Sequence, residues 1–156
     1  MVHSTDILTA NLSALRRTEP ELADRLAQIE PAPLTFSESK AGPLTATLTH
    51  DGQAIWLASR YDPAKEAQKL VVNIDHQKTA CVAMLGVGLG YHIAQVFADM
   101  AGNGILIVFE PDLALLRAVL ERIDHTSWLG QPNVILGDSS MDRATLTRRV
   151  ERHAAM

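Results

Sequence analysis

Three groups in the second half of the sequence have the types and spacing for ligand chemistry: the glycines of Gly86-Val87-Gly88-Leu89-Gly90, Glu110 and Asp138. Alternating glycines let the backbone approach a ligand with no Cβ in the way, and a helix starting directly after them adds N–H groups and partial positive charge. Glu110 lies 110 − 90 = 20 positions after the last glycine. At the end of the next strand, a carboxylate at that spacing can accept hydrogen bonds from two ribose hydroxyls. Asp138, at the exit of a third strand, is placed either to reach a base or ribose beside Glu110 or, with Ser139 and Ser140, to cap the helix that follows. The plain alternatives are a helix N-terminal carboxylate for Glu110, before Pro111, and a purely structural tight turn for the glycines.

Spacing narrows the ligand. A dinucleotide fingerprint sets its third glycine five positions after the first, but Tyr91 holds that place and Gly90 falls one earlier. The turn therefore suits S-adenosylmethionine or a nucleotide sugar better than NAD. Methyltransferases usually carry an acidic residue two places before the first glycine; Met84 stands there and counts against that class.

The elements that must hold these groups follow from periodicity. Ala80 to Leu85 is a continuous apolar run, as for a parallel strand covered on both faces. Tyr91–Met100 reads as a helix ended by Gly102 and Gly104, Ile105–Phe109 as a second buried strand, Pro111–Ile123 as a helix, Asn133–Leu136 as a short strand, and a last helix starts from a Ser139 or Ser140 cap. Upstream, Ile7, Leu8, Leu12 and Leu15 have helical spacing. A second helix over Glu19–Glu30 has Pro20 in its first turn and a capping-box pair, Thr18 and Glu21. Pro31 to Gly42 reads as a loop. Leu44 to Ala58 alternates with period two around Asp51-Gly52, the signature of a β-hairpin. Asp62 and Pro63 open a helix through Ile74, with Ala67, Leu70, Val71 and Ile74 toward the core.

The fold class expected is α/β: a Rossmann-like three-layer half-sheet of parallel strands, preceded by N-terminal helices and a β-hairpin. The segments are 1–40 (helical), 43–76 (hairpin and helix) and 78–156 (nucleotide-binding-type subdomain).

Composition bounds the function. A chain of 156 residues holds one domain of moderate core, too short for two full α/β domains. With 14 Lys and Arg against 18 Asp and Glu, and no long basic run, nucleic acid is not expected as a partner. Arg148, Arg149 and Arg152 read as a helix end complementing its dipole. Cys81, the sole cysteine, reads as a small core residue. No apolar run approaches the roughly 20 residues that span a bilayer, and no signal peptide opens the chain, so a cytoplasmic protein is expected. The histidines show no metal-ligand spacing, and neither a Gly-x-Ser-x-Gly elbow nor a Walker lysine is present.

Taken together, Ser59-Arg60-Tyr61-Asp62-Pro63-Ala64-Lys65-Glu66-Ala67, Leu85-Gly86-Val87-Gly88-Leu89-Gly90-Tyr91-His92 and Val108-Phe109-Glu110-Pro111-Asp112 resemble the N-terminal domain of the motility accessory factor family. These are bacterial proteins linked to glycosylation of flagellin with nonulosonic, sialic-acid-like sugars. The similarity covers about residues 40 to 140. In that family the catalytic region is related to archaeal 6-hydroxymethylpterin diphosphokinase and to sialyltransferase-like folds, and it lies C-terminal to this domain. The resemblance implies a binding or scaffolding module whose partner is such a catalytic domain, on a longer parent chain or a separate subunit. Transfer from a CMP-linked donor then belongs to that parent.

Four residues of the matching segments have two readings each. Tyr61 and Asp62 either fold over the carboxyl edge of the sheet, with Arg60 meeting a phosphate or carboxylate, or serve as packing residue and helix cap. Tyr91 and His92, in the first turn after the glycines, face either a ligand or their neighbours. The ligand is left as a nucleotide or nucleotide sugar, with S-adenosylmethionine in a methyltransferase-like domain as the alternative. An open sheet edge would also allow a homo-oligomer.

Overall fold

The structure, a computed structural model, describes residues 4–155. Two helices come first, α1 (Ser4–Leu15) and α2 (Pro20–Gln28). An antiparallel sheet follows, of β1 (Thr35–Glu38), β2 (Leu44–His50) and β3 (Gln53–Trp56), and then α3 (Pro63–Val71). The remainder alternates: β4 (Cys81–Leu85), α4 (Tyr91–Met100), β5 (Ile105–Phe109), α5 (Leu113–Leu120), β6 (Val134–Gly137) and α6 (Arg143–Ala154). β4, β5 and β6 form a parallel sheet in that order. The α/β class and the Rossmann-like half-sheet are thus as expected.

Local chemistry explains most boundaries. Asp51 and Gly52 take φ of 49° and 78°, the doubly positive pair that joins β2 to β3 in a tight turn. The Asp62 carboxylate accepts from the Lys65 N–H at 2.9 Å and so caps α3, with Pro63 following. Asp112 does the same for α5, accepting from Leu115 N–H at 3.0 Å.

Several expectations are corrected. The stretch read as a loop contains β1, whose Phe36 pairs with Ala46 of β2, so the hairpin is part of a three-stranded sheet. Only Phe36 of that strand is apolar, too little for a period-two signal, and β1 exists because β2 offers it a hydrogen-bonding edge. Helix α2 is capped at Glu19 without a side-chain hydrogen bond, so Thr18 and Glu21 form no capping box. The last helix is capped by Asp142, accepting from Thr145 N–H at 2.6 Å, in place of Ser139 or Ser140. Leu70 points to solvent at 70% exposure, because α3 ends at Val71 and buries only Pro63, Ala67 and Val71. Arg149 makes an ion pair with Glu19.

One face of the parallel sheet is built into the core. Val82, Leu106, Val108, Val134 and Leu136 pack with Ile93, Val96 and Met100 of α4 and with Leu116 and Leu120 of α5. Leu12 and Leu15 of α1 and Leu22 and Leu26 of α2 belong to the same cluster, so the N-terminal helices share the core of the sheet. A smaller cluster of Ala46, Leu89 and Val119, with Phe36, Leu57 and Tyr91 against it, joins the antiparallel sheet to the glycine turn. The second face is less covered. Cys81 and Ala83 of β4 are exposed, and Leu85 is 85% exposed. The reading of β4 as covered on both faces, and of Cys81 as a core residue, is overturned because β4 is an edge strand whose alternate side chains meet no helix.

Candidate functional site

The glycine turn is held from three directions. Gly86 N–H donates to Phe109 carbonyl at 2.7 Å, continuing the β4–β5 ladder one residue past the strand. Val87 turns its side chain into the core, fully buried, while its N–H donates to Oε2 of Glu110 at 2.7 Å. The Gly90 N–H returns to the Val87 carbonyl at 2.8 Å. Gly86, Gly88 and Gly90 have φ of 82°, 51° and 82°, a left-handed conformation that favours residues without a Cβ.

Glu110 is 3% exposed, and both its oxygens are engaged: Oε2 with Val87 and Oε1 with Asp112 N–H at 2.8 Å. It thereby ties the end of β5 to the turn after β4 and shapes the entry to α5. The carboxylate serves two backbone donors on opposite sides, Val87 of the turn and Asp112, while the cap of α5 itself is the Asp112 side chain.

The three glycines differ in purpose. A Cβ on Gly86 would meet nothing within 4 Å, and one on Gly88 only the His92 ring at 3.9 Å. Their open sides face away from packed protein. The N–H groups of Gly88 and Leu89 make no hydrogen bond among the described residues, and they stand beside the N-terminal donors of α4, where an anion is favoured. A Cβ on Gly90 would lie 2.5 Å from Nε2 of His125, so this glycine is demanded by packing.

His125 is the residue that sequence reasoning missed. It is 2% exposed, its Nε2 lies 3.0 Å from the Leu89 carbonyl, and its Nδ1 is 3.1 Å from Nε1 of Trp128. Indole nitrogen only donates, so Nδ1 accepts and the proton sits on Nε2, donating to Leu89. Burial pushes the imidazole down to about 4, against the opposing pull of the Leu89 hydrogen bond, which keeps it neutral. Asn11 completes the cluster, its Oδ1 accepting from His125 N–H at 2.8 Å while its amide donates to the carbonyls of Leu120 and Ile123. The only sequence hint was a polar Asn11 on the apolar stripe of Leu8, Leu12 and Leu15.

Of the flanking candidates, Tyr91 donates its hydroxyl to the Leu44 carbonyl at 2.7 Å, fastening the antiparallel sheet to the start of α4. Burial raises its phenol, partly offset by that bond. Half-buried His92 is lowered by burial, against a hydrogen bond with the Gly86 backbone. Tyr91 and His92 line a small cavity of about 150 Å³ with Leu57, Pro63 and Leu89. Tyr61 is 55% exposed under Lys40, whose Nζ is 4.6 Å from the ring, and with Asp62 it borders a separate groove along α3.

Asp138 sits next to Glu110 in the sheet, because Glu110 N–H donates to the Gly137 carbonyl at 2.9 Å. Its side chain, however, accepts from Arg25 Nη1 and from the Ser140 hydroxyl, each at 2.5 Å. Burial opposes its ionisation, but these donors outweigh it and hold the carboxyl below its ordinary value. It lines a cleft of about 390 Å³ with Glu19, Arg25 and Arg149. The candidates therefore divide: the glycines, Glu110 and His92 meet at the carboxyl end of β4, while Asp138 lies in one neighbouring cleft and Tyr61 and Asp62 in another. Among the described residues, no group of three or more His, Cys, Asp and Glu side chains is placed to hold a metal ion.

No family model matches the chain, and no curated protein matches it in sequence. Among solved structures it superimposes on the MAf glycosyltransferase from Magnetospirillum magneticum AMB-1, with a TM-score of 0.58 and 16% identity. The match spans 96% of this chain and 29% of that one. At this identity the likeness establishes architecture: the chain has the fold of a segment amounting to less than a third of that glycosyltransferase.

Proposed function

We propose that this chain is a nucleotide-type ligand-binding module related to the MAf glycosyltransferases, working beside a catalytic domain that transfers a nonulosonic sugar to flagellin. The observation that carries the reading is the turn itself. Gly86 and Gly88 present open, Cβ-free backbone, and the unpartnered N–H groups of Gly88 and Leu89 adjoin the start of α4. Such a surface suits a phosphate or carboxylate. The shared fold supports a relation to a glycosyltransferase, and the sequence resemblance to the motility accessory factor family, whose parent would use a CMP-linked donor, suggests a cytidine nucleotide or its sugar conjugate as the ligand class. Glu110 acts here chiefly by holding the turn in its receptive shape.

A thermal-shift series with CMP, CDP, a CMP-linked sugar, ATP, S-adenosylmethionine and NAD tests it, since binding to the folded state raises apparent stability. A cytidine compound should raise the midpoint, and Gly86→Ala should abolish the shift, because its Cβ projects into the open side. A shift with S-adenosylmethionine alone would turn the assignment to a methyltransferase-like domain. No shift with any ligand would remove the binding function.

A further inference from the structure

The two edges of the parallel sheet are treated differently. At β6 the outward backbone is occupied: Val134 N–H donates to the Gln131 carbonyl at 3.0 Å, and Leu136 hydrogen-bonds through its backbone with the Glu19 carboxylate. At β4, among the described residues, no strand pairs with the outer side. Which residues face outward follows from the ends of the strand. The Ala80 carbonyl accepts from Ile105 N–H at 2.9 Å, and Gly86 N–H donates to Phe109 at 2.7 Å, so the even-numbered residues bond to β5. Cys81, Ala83 and Leu85 then direct both N–H and C=O away from the sheet. The same three residues carry the exposed side chains on the uncovered face.

Proteins that leave a strand edge open protect it with a charge, a proline or a bulge. Cys81-Val82-Ala83-Met84-Leu85 contains none of these. We infer that β4 is a self-pairing edge, through which two copies of this chain join antiparallel about a two-fold axis at Ala83.

The occupant is argued from the pattern of the edge. In antiparallel pairing, a residue that exchanges both hydrogen bonds sits opposite another that does so. The outward residues 81, 83 and 85 are symmetric about Ala83, so a second copy matches them one for one: Cys81 opposite Leu85, Ala83 opposite Ala83, Leu85 opposite Cys81. About six hydrogen bonds form. The strand bears no charge, so two copies meet without repulsion. The smallest of the three side chains lies on the axis, and Leu85 of each copy covers Cys81 of the other on the same face. The contact is one short strand, well below the roughly 800 Å² per partner of a standard interface, so a dimer of micromolar affinity is expected.

Sedimentation velocity from about 1 to about 200 μM, a range that brackets such an affinity, should show a monomer–dimer equilibrium. Ala83→Pro removes only an outward N–H, which an edge strand tolerates. It should keep the wild-type circular dichroism spectrum and sediment as a monomer. Register is read by Cys81→Ser/Ala83→Cys. The two thiols then face each other across the axis with Cα atoms about 5.5 Å apart, within disulfide reach, and mild oxidation should give a covalent dimer. In the wild type, Cys81 lies about 14 Å from its copy along the strand and should not cross-link. A monomer throughout the range overturns the proposal, as does a dimer that survives Ala83→Pro or one that cross-links through Cys81.

Discussion

His125 donates its Nε2 proton to the carbonyl of Leu89 at 3.0 Å, and this bond fixes the glycine turn to the segment that follows α5. The imidazole stays neutral because it is buried and Trp128 donates to its other nitrogen. The shape of the glycine turn thus depends on a residue buried behind it.

Lowering the pH should therefore destabilise the protein over a defined window. His125 falls from its ordinary 6.5 to about 4 in the folded state, so between those values the unfolded chain binds more protons. Its contribution is complete above pH 6.5, declines as pH falls, and is gone near pH 4, a loss of about 3 kcal/mol. His92, also lowered, acts in the same direction, whereas Glu19, raised by burial against the pull of Arg149, acts in the opposite one. Urea denaturation between pH 7.5 and pH 4.5 measures the slope. His125→Gln should flatten it while lowering stability at neutral pH.

Gly90→Ala and Gly86→Ala separate packing from backbone conformation. Both residues have φ of 82°, so each alanine bears left-handed strain of about 1 to 2 kcal/mol. Only at Gly90 does the new Cβ collide with His125, adding about 1 to 3 kcal/mol of overpacking. Equal denaturation midpoints for the two variants would contradict this placement of the ring.

Glu110→Gln should cost about 1 to 3 kcal/mol, since one of the two backbone N–H groups now facing its oxygens would meet an amide NH₂ and be left unsatisfied. Amide exchange should accelerate at Val87 or Asp112, the two donors. Unchanged protection at both would show that the carboxylate does not brace the turn.

Tyr91→Phe removes the hydroxyl that fastens β2 to α4. A loss of about 1 kcal/mol is expected for a single hydrogen bond. Because Leu44 begins β2, exchange should quicken in the antiparallel sheet before it does in β4 to β6. Uniform exchange across both sheets would place the coupling elsewhere.

Features encoded within a few neighbouring residues were legible from the chain alone. The Asp51-Gly52 turn, the Asp62 cap, the strand–glycine–helix passage from β4 into α4 and the β5 strand before Glu110 each follow from φ preference, capping or local periodicity. Those rules also located Glu110 beside the glycines, because the spacing of a β-α-β unit is nearly constant. The glycine turn with α/β architecture around it was therefore determined by sequence.

Tertiary structure decided what each group does. Asn11 and His125 are 114 positions apart, and Arg25 and Asp138 are 113 apart, so no local pattern announces either pair. β1 has too few apolar residues to declare itself and forms on the edge that β2 provides. Cys81 lies in a run as apolar as any core strand, yet it is exposed, because burial depends on which elements pack over a face and not on the residues of the strand. Local propensity is carried by adjacent atoms, while burial, buried hydrogen bonding and the shift of His125 arise from groups that only folding brings together.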